Sequence, residues 1–474
     1  LSTLSTFLDT CVDSMWTVRG KSSDLFGYGV EKCFFVHFSK KQQKCFPKQF
    51  HTFSSLITQT YQSAKRLSLL GAQGFSSYPQ PLRRIRRKKF IYFYICVTWE
   101  RSFTHMKIVC NKSDLVKGVN IVSKAVPGKT TMPILECILI DATTDIIKLT
   151  ANDMELGIQT EIAGEIIDRG MIAIDAKIFS EIVRKLPDNE VSIETDDRLQ
   201  TTIVCEKAKF DISGKPGNEF AYLPIIEKDD SIAISQFTLK EVIRQTIFSI
   251  ADTESNKLMT GELFEIKDNV LRVASLDGHR ISIRKIELKN PVSDYKMVVP
   301  GKTLIEISKI LSGEAESMVE ISYTNNHIVF EFDNTIVVSR LIEGDYFKID
   351  QMLSSDYDTK VRINKKEFLN CIDRATLLIK EGDKKPIIID IQDEMMELKI
   401  KSQIGSMNEE IMISKDGKDL LIGFNPKFLI DALRVIDDEE VTLYLMNAKA
   451  PCFIKDETER YIYLILPVNF NANV

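Results

Sequence analysis

Three sets of two basic residues and one acidic residue recur in this chain with the same internal spacing. They are Lys177, Glu181 and Arg184; Lys302, Glu306 and Lys309; and Lys427, Asp431 and Arg434. Each set starts 125 residues after the previous one. On an α-helix, the two basic residues of a set lie two turns apart on one face, with the acid between them. Such a repeated basic face suits the phosphates of a nucleic-acid backbone, bound without sequence preference.

Further basic residues lie in three other helix-like stretches, one before each set. They are Lys112, Lys117 and Lys124; Lys240 and Arg244; and Lys365, Lys366 and Arg374. On a single helix, such charges would indicate only a solvated face with salt bridges inside the helix. Three equivalent copies in a chain with a net charge of −5 instead predict a local basic track along the helices. Because acids intervene, we expect loose contacts with phosphates.

Two strings resemble a nucleotide-binding loop, Gly128-Lys129-Thr130 and Gly301-Lys302-Thr303. That loop requires another glycine five residues before the glycine that precedes the lysine. Ser123 and Lys296 occupy those positions here. Neither string is therefore a phosphate-binding loop of this type.

The most distinctive hexapeptide is Leu276-Asp277-Gly278-His279-Arg280-Ile281. An enzyme could use Asp277 and His279 as a catalytic pair or as metal ligands, but the sequence offers no nucleophile or third ligand for them. The simpler interpretation is an Asp-Gly turn between two strands, with His279 packing on it. We predict no catalytic residue and no metal site, and a hydrolase centred on Asp277 and His279 stays as an alternative.

The elements that must position these groups are predicted three times, in the same order. Each unit begins with a strand and a helix, continues with alternating apolar strands and a second helix that carries one charged set, and ends with more strands. Turn signals at Asp277-Gly278, Asn325-Asn326 and Asp416-Gly417 separate strands. A period of about 125 residues is a whole domain. The predicted class is α+β, with domains at 106–231, 232–358 and 359–474.

The composition of residues 106–474 excludes several kinds of site. The five cysteines in this part, Cys110, Cys137, Cys205, Cys371 and Cys452, form no close pairs. That spacing argues against a disulfide framework or a zinc site and fits a reducing compartment. The same part contains two histidines and no tryptophan, and no apolar run approaches the length of a membrane helix. We expect no cofactor, no metal and no membrane partner.

Residues 1–105 differ from the rest in charge. They hold 16 Lys and Arg against 5 Asp and Glu, whereas the remainder holds 46 against 62. We interpret 1–105 as a leader outside the repeats, either disordered or translated from upstream sequence, since Trp99-Glu100-Arg101 can be encoded by a purine-rich string like a ribosome-binding site. A transit peptide for organellar import and a basic nucleic-acid arm are the alternatives.

Several dispersed strings resemble the bacterial DNA polymerase III β subunit family, the sliding clamps. They are Met106-Lys107-Ile108, KTTMPILECILI from Lys129, LDGHRIS from Leu276, GFNPKFLIDAL from Gly423 and YLILPV from Tyr463. The resemblance covers residues 106–474 and does not extend to 1–105. It implies three clamp domains per chain and a head-to-tail homodimer that forms a six-domain ring around double-stranded DNA.

The size of such a ring is consistent with a duplex inside it. Twelve helices spaced about 9–10 Å apart form a circle about 36 Å across. Subtracting a helix diameter of about 10–12 Å leaves a hole of about 25 Å. The resemblance implies DNA contacts at Lys129, Lys257 and Lys302, and the charged sets themselves add Lys177, Arg184, Lys309, Lys427 and Arg434.

The resemblance also implies two protein-binding surfaces. Edge strands of the first and third domains close the ring, with Phe210 and Ile212 on one side and Leu377 and Leu378 on the other. Partner peptides enter an apolar cleft between the second and third domains. The matching positions are Met259, Gly278, His279, Arg280, Ile281, Met352, Asn425, Phe428, Leu464, Ile465, Leu466, Pro467 and Val468. This chain departs from the family at Phe347 and Gln351, where a proline and a basic residue are common.

The resemblance implies an accessory protein of the DNA polymerase III holoenzyme and no catalyst. The expected partners are sequence-independent duplex DNA, the replicative polymerase catalytic subunit, a clamp-loader ATPase and other proteins with clamp-binding motifs. The expected location is the cytoplasm, at the nucleoid. A DNA-binding scaffold that forms no ring, and a sequence-specific DNA-binding protein, are the alternatives.

Overall fold

The computed structural model describes residues 105–226, 230–252, 256–353, 356–380, 385–456 and 458–470. The predicted leader lies outside the described residues, apart from His105. The described residues contain three repeats of strands and paired α-helices, which confirms the predicted α+β class. None of the described helices is long and apolar enough to cross a membrane.

The first repeat begins at Met106, where buried and solvent-facing side chains alternate along the opening strand. Its elements are β1 (Met106–Asn111), α1 (Lys112–Val122), β2 (Cys137–Asp141), β3 (Ile147–Asn152), β4 (Leu156–Ile162), β5 (Glu165–Asp168), β6 (Met171–Asp175), α2 (Ala176–Lys185), β7 (Glu190–Thr195), β8 (Gln200–Cys205), β9 (Ala208–Ser213) and β10 (Lys215–Pro216). Asp175 ends β6 and caps α2 by accepting a hydrogen bond from the backbone nitrogen of Ile178 at 2.9 Å.

The second repeat follows the same plan with a polar cap after its first strand. Its elements are β11 (Asp230–Ser235), α3 (Gln236–Thr246), β12 (Gly261–Lys267), β13 (Val270–Leu276), β14 (Arg280–Glu287), β15 (Tyr295–Pro300), α4 (Gly301–Ile310), β16 (Met318–Tyr323), β17 (His327–Phe332) and β18 (Thr335–Arg340). The Ser235 hydroxyl caps α3 by accepting a hydrogen bond from the backbone nitrogen of Thr238.

The third repeat caps both of its helices with asparagine. Its elements are β19 (Thr359–Asn364), α5 (Lys365–Thr376), β20 (Ile387–Gln392), β21 (Met395–Lys401), β22 (Ser406–Met412), β23 (Ser414–Gly417), β24 (Leu420–Phe424), α6 (Pro426–Val435), β25 (Glu440–Leu445), β26 (Cys452–Lys455) and β27 (Tyr461–Ile465). Asn364 caps α5 and Asn425 caps α6. The three helices predicted from the charged sets are α2, α4 and α6.

One predicted turn is wrong. Asp416-Gly417 forms the end of β23 instead, paired with Lys360 and Thr359 of β19. Gly417 has a φ of +114°, and a Cβ atom there would lie 2.1 Å from the carbonyl oxygen of Asp358. The glycine is needed for this close backbone approach and not for a reversal of the chain.

Strand pairing joins the repeats. β4 of the first repeat pairs antiparallel with β18 of the second, in the nine-stranded sheet β10-β6-β2-β3-β4-β18-β17-β16-β11. β14 of the second repeat pairs with β27 of the third, in the nine-stranded sheet β15-β12-β13-β14-β27-β26-β25-β19-β23. The remaining described sheets are β5-β1-β7-β8-β9 and β22-β21-β20-β24. Each junction is therefore a continuous sheet.

The helices pack in pairs against these sheets, α1 with α2, α3 with α4, and α5 with α6. Their buried faces contribute Leu115, Phe179 and Leu304 to one apolar core that runs through the first two repeats. The third repeat has its own core around Phe368 and Leu433. A smaller apolar group, which includes Ile281, Ile349 and Leu464, lies at the junction of the second and third repeats.

Glu262 of β12 is a buried carboxyl group inside the second repeat. It is 0% exposed, and neither carboxylate oxygen has a hydrogen-bond partner among the described residues. The nearby Thr246 hydroxyl donates instead to the carbonyl oxygen of Val242, at 2.8 Å. Burial therefore raises the pKa of Glu262 from 4.5 to about 8.

This shift predicts a pH-dependent loss of stability. Between pH 4.5 and about 8, the unfolded chain releases the Glu262 proton while the folded chain keeps it, so the free energy of unfolding falls as pH rises. The limit for one group is about 1.4 kcal/mol per pH unit. We expect Glu262→Gln to match the parent near pH 4 and to exceed it in stability by a constant amount above pH 8, in denaturant titrations. Parallel stability profiles of parent and variant would show that Glu262 ionises normally.

Candidate nucleic-acid interface and partner-binding cleft

The basic residues of the charged sets on α2, α4 and α6 differ in whether they form ion pairs. Lys177, Arg184 and Lys427 are exposed, and none of the three forms an ion pair with a described residue. The other three cations of the sets are paired. Lys309 contacts Glu306 of its own helix at 2.8 Å, and Arg434 contacts Asp373 of α5 at 3.4 Å. The three unpaired side chains are therefore the most available to an external phosphate.

Lys302 bridges two repeats. Its ammonium group at the start of α4 forms an ion pair with Asp153, which lies in the turn between β3 and β4 of the first repeat. The carboxylate of Asp153 also accepts hydrogen bonds from the backbone nitrogens of Glu155 and Leu156. Lys302 thus links the first and second repeats. To bind Lys302, a phosphate would have to compete with the nearly buried carboxylate of Asp153.

Lys129 and Lys257 lie off the α-helices. Lys129 is exposed in the loop after α1, and Lys257 is exposed at the start of a short 3₁₀ turn, Lys257–Thr260. Asn256 caps that turn by accepting a hydrogen bond from the backbone nitrogen of Leu258. Both lysines are free to move toward a ligand because no described carboxylate pairs with them.

The expected basic track along the first helices is largely absent. Lys240 donates to the carbonyl oxygen of Leu311 at 3.2 Å, and Lys365 donates to that of Ile436 at 2.6 Å. These carbonyl groups end α4 and α6, where the partial negative charge of a helix attracts cations. Three more of these residues form ion pairs with nearby acids: Lys112, Arg244 and Arg374. These five residues brace the helix pairs and sheets and do not present free charge.

The Asp277-Gly278 turn forms as predicted, between β13 and β14. One oxygen of Asp277 accepts hydrogen bonds from the backbone nitrogens of His279 at 2.9 Å and Arg280 at 3.1 Å. Gly278 has a φ of +88°, a conformation that favours glycine. The other Asp277 oxygen accepts from Nε of Arg280 at 2.9 Å. Because this carboxylate is already used by the turn and by an arginine, the geometry does not support Asp277 as a catalytic base.

Arg280 is the centre of the junction between the second and third repeats. Its side chain is 7% exposed. Besides Asp277, it donates to Asp431 of α6 at 2.7 Å and to the carbonyl oxygen of Phe248 at 2.5 Å. Burial opposes the charge, and the hydrogen bond to Asp431 counteracts it, so the pKa of Arg280 rises above its ordinary value. A buried arginine held in this way fixes its neighbours in place.

Aromatic rings surround this guanidinium. Its carbon lies 4.3 Å from the ring centroid of Phe428 and 5.5 Å from that of Phe248. The exposed ring of His279 stacks on Phe428 with centroids 6.1 Å apart. The hydroxyl of Tyr463 donates to the carbonyl oxygen of Phe428 at 2.9 Å. The start of α6 is therefore anchored to both neighbouring strands.

The last strand contributes further residues of the predicted cleft. Leu464 and Ile465 of β27 are buried and pair with Ile281 and Arg280 of β14. The chain then continues with the backbone nitrogen of Leu466 donating to His279, and that of Val468 donating to Gly423. Leu466 and Val468 are exposed. The predicted cleft residues thus divide into a buried floor and an exposed rim.

Other predicted cleft residues border the same apolar group. Met259 packs against it, as do Tyr346 and Phe347, whose rings are 5.6 Å apart. Met352 is exposed one turn beyond the buried Ile349, and Asn425 caps α6 through the backbone nitrogen of Lys427. Phe347, where the family commonly has proline, therefore adds an aromatic ring beside this apolar group. Sequence reasoning missed Phe248, because only the fold brings its backbone carbonyl and its ring to Arg280.

The residues that are predicted to close the ring lie at or near two open sheet edges. Phe210 and Ile212 belong to β9, an edge strand of the first repeat, and Phe210 is 37% exposed. Leu377 and Leu378 follow α5, near the edge strand β22; Leu377 is 77% exposed, whereas Leu378 packs against the third-repeat core. Beside these edges, the first repeat carries the exposed Lys207 and Lys209, and β22 carries two acids, Glu409 and Glu410.

Comparison with known families identifies the three repeats. Family models for the DNA polymerase III beta subunit match consecutive segments: the N-terminal domain at 106–224, the central domain at 233–348 and the C-terminal domain at 350–469. The beta sliding clamp of Bacillus subtilis (strain 168) is 36% identical over 376 residues, which cover 77% of this chain and 99% of the relative. That of Staphylococcus epidermidis (strain ATCC 35984) is 32% identical over 374 residues, with the same coverage.

Solved structures agree. A protein from Eubacterium rectale ATCC 33656, described as a DNA polymerase III beta subunit, is 72% identical with a TM-score of 0.75. The DNA polymerase sliding clamp from Bacillus subtilis is 35% identical with a TM-score of 0.75. A sliding clamp from Bartonella birtlesii, bound to griselimycin, is 26% identical with a TM-score of 0.73. Each comparison covers 77% of this chain and 100% of the other.

Proposed function

Because the chain belongs to the DNA polymerase III beta subunit family, it is an accessory sliding-clamp protein and not itself a catalyst, and we propose that two copies close head to tail into a ring around duplex DNA. Membership implies partnership with DNA and a DNA polymerase. The three-domain division at 106–231, 232–358 and 359–474 is part of this proposal. So is a location in the bacterial cytoplasm at the nucleoid.

One observation carries the ring. Leaving aside the short β5, β10 and β23, each repeat has eight strands in the described part of the chain, and both internal junctions pair the fourth strand of one repeat with the eighth strand of the next. These pairs are β4 with β18 and β14 with β27. The fourth strand of the last repeat, β22, and the eighth strand of the first, β9, are open edges. Pairing β22 of one copy with β9 of another repeats the internal rule and produces a third kind of nine-stranded sheet.

Charge also favours this pairing. Lys207 beside β9 would face Glu410 on β22, whereas Lys209 and Glu409 already form ion pairs within the chain, with Asp211 and Arg374. Opposite charges on adjacent strands stabilise a pair, and like charges oppose it. A head-to-tail contact therefore fits better than β9 against β9 or β22 against β22.

Ring opening is proposed at this same contact. Both internal junctions have an ion pair to the second helix of the next repeat from a residue in, or directly after, the turn that precedes the fourth strand: Asp153 with Lys302, and Arg280 with Asp431. The corresponding turn in the third repeat is Ser402-Gln403-Ile404-Gly405, which has no charged residue. The contact between copies would lack that ion pair, which supports it as the place where a clamp-loader ATPase opens the ring.

The experiment that tests the function is retention on DNA. The full chain is loaded on nicked circular DNA with the loader of the same organism, and gel filtration measures how much stays bound before and after the circle is cut. We expect retention on the circle and loss from the linear molecule, because a ring slides off free ends. Equal retention on both would favour a DNA-binding scaffold without a ring.

We propose that the unpaired cations on the second helices contact the duplex. Lys177→Glu combined with Arg184→Glu is expected to weaken the interaction with duplex DNA and to lower the slope of log affinity against log salt by about 0.9 for each phosphate that is no longer neutralised. Titrations at several salt concentrations measure this slope. The matched control reverses two other exposed lysines, Lys267→Glu with Lys289→Glu, and should leave the slope unchanged. Equal slopes in parent and both variants would remove α2 from the DNA interface.

The proposed tether for the polymerase, for the loader and for other proteins with clamp-binding motifs is the cleft at the second junction. Its support is the buried apolar floor formed by Ile281 and Leu464, next to the exposed side chains of His279 and Leu466. A floor of this kind accepts apolar side chains of a short peptide, and backbone groups at the rim fix its direction.

A further inference from the structure

The acids of the three charged sets occupy equivalent positions but make different contacts. Glu181 of α2 forms no ion pair with a described residue. Glu306 of α4 contacts Lys309 of the same helix at 2.8 Å. Asp431 of α6 accepts a hydrogen bond at 2.7 Å from Arg280, a residue of the preceding repeat. Among these acids, Asp431 alone is shown to reach across a junction.

Asp431 holds one end of a guanidinium whose other contacts come from the second repeat. Asp277 accepts from Nε at 2.9 Å and the carbonyl oxygen of Phe248 accepts from Nη2 at 2.5 Å. Asp431 accepts from Nη1. The first two contacts fix Arg280 to its own repeat, and the third contact ties it to α6. The orientation of Arg280 relative to α6 therefore depends on Asp431.

The same helix supplies the ring on which this guanidinium lies. Phe428 precedes Asp431 by three residues, so both side chains lie on one side of α6. Arg280 is 4.3 Å from the centroid of Phe428, and the exposed His279 stacks on that ring at 6.1 Å. Two residues of α6 thus hold Arg280. Asp431 accepts a hydrogen bond from the edge of its guanidinium group, and the ring of Phe428 packs on the face of that group.

We propose that Asp431 is a positioning residue of the partner-binding cleft, which holds Arg280 against Phe428 so that Phe428 and His279 present a fixed apolar wall to a partner peptide. This inference rests on the proposed function of the cleft. In the sequence, Asp431 belongs to a charged set that is expected to face DNA. That assignment gives Asp431 no role in the cleft. Without the carboxylate, Arg280 remains buried with Asp277 but loses its hydrogen bond to α6, and the wall loses its fixed orientation.

The test uses Asp431→Asn, which keeps the shape of the side chain and removes its charge. The probe is the replicative polymerase catalytic subunit of the same organism. It is titrated over the immobilised full chain, and the dissociation constant is measured. We expect binding about 10-fold weaker, the effect of losing one charge-assisted hydrogen bond, with the dimer mass unchanged. Asp431→Glu should recover part of the affinity. Asp438→Asn, the same charge change at an exposed position in the same repeat, should bind as the parent does.

A double-mutant cycle separates positioning from a general loss of stability. If Asp431 acts through Arg280, then Asp431→Asn should weaken binding in the parent and have almost no further effect in an Arg280→Met background. An equal loss in both backgrounds would overturn the inference, as would parent-like binding by Asp431→Asn. Failure of the parent chain itself to bind the polymerase would instead overturn the proposed function of the cleft, so the two failures are distinguishable.

Discussion

Phe210→Asp is expected to leave the chain monomeric. In the proposed ring, Phe210 of β9 becomes buried when β22 of a second copy pairs with its edge. Phe210 is 37% exposed in the single chain, so completing its burial contributes about 0.5–1 kcal/mol at each of the two contacts of the ring. Leaving an unpaired carboxylate buried there costs at least about 1–3 kcal/mol more per contact, so the expected total is about 3–8 kcal/mol, or roughly 10²–10⁶-fold in the dimer dissociation constant. The new carboxylate would also lie near Glu409 and Glu410, which adds repulsion.

Light scattering at several concentrations measures this change. The mass should fall from twice the chain mass to the 54.0 kDa of a single chain, and retention on circular DNA should disappear with it. The matched control is Ile167→Asp on β5, the opposite edge of the same sheet. Ile167 is 51% exposed, so its replacement should leave the dimer intact. A Phe210→Asp protein that stays dimeric would place the contact between copies elsewhere.

Phe428→Ala is expected to release the polymerase while the ring persists. The ring of Phe428 is contacted on one side by Arg280 and on another by His279, so its removal would open the proposed cleft wall. Aromatic residues at the centre of such sites typically contribute at least about 2 kcal/mol, which corresponds to about 30-fold in affinity. Titration with the polymerase catalytic subunit measures the loss, and processive synthesis on a primed circle should fall with it.

The repeat supplies a control for this substitution. Ile178 follows Lys177 in α2 as Phe428 follows Lys427 in α6, and Ile178 is solvent-exposed. Ile178→Ala should bind the polymerase as tightly as the parent does. Unchanged binding by Phe428→Ala would exclude the cleft as the main polymerase contact. Equal losses in both variants would indicate a contact along the helices instead of one at the cleft.

Local sequence was sufficient for most of the fold. Helices α2, α4 and α6 follow from the charged sets and the apolar residues between them, since helix periodicity is local. The Asp277-Gly278 turn follows from residue types that favour positive φ and a side-chain cap. The Asp416-Gly417 prediction failed because the same dipeptide also permits close approach of another strand, and only the position of β19 decides between these outcomes.

The candidate sites were predictable in part. The resemblance predicts a set of cleft residues, and the structure brings four of them, Ile281, Arg280, Leu464 and Phe428, together at one junction. The sequence did not show which of the basic residues lack an ion-pair partner in the folded chain. Lys302 and Lys177 are equivalent in the sequence, yet Asp153 pairs with the first and no described residue pairs with the second. The difference arises from a carboxylate 149 residues away in the chain.

The threefold repeat, the α+β class and the family can all be read along the chain, because they depend on periodicity and on short motifs. Which charges stay available and which are consumed depends instead on tertiary contacts. Arg280 and Asp431 look like a surface base and a surface acid in the sequence. Their pairing depends on the antiparallel contact of β14 with β27, which brings a turn of one repeat against a helix of the next.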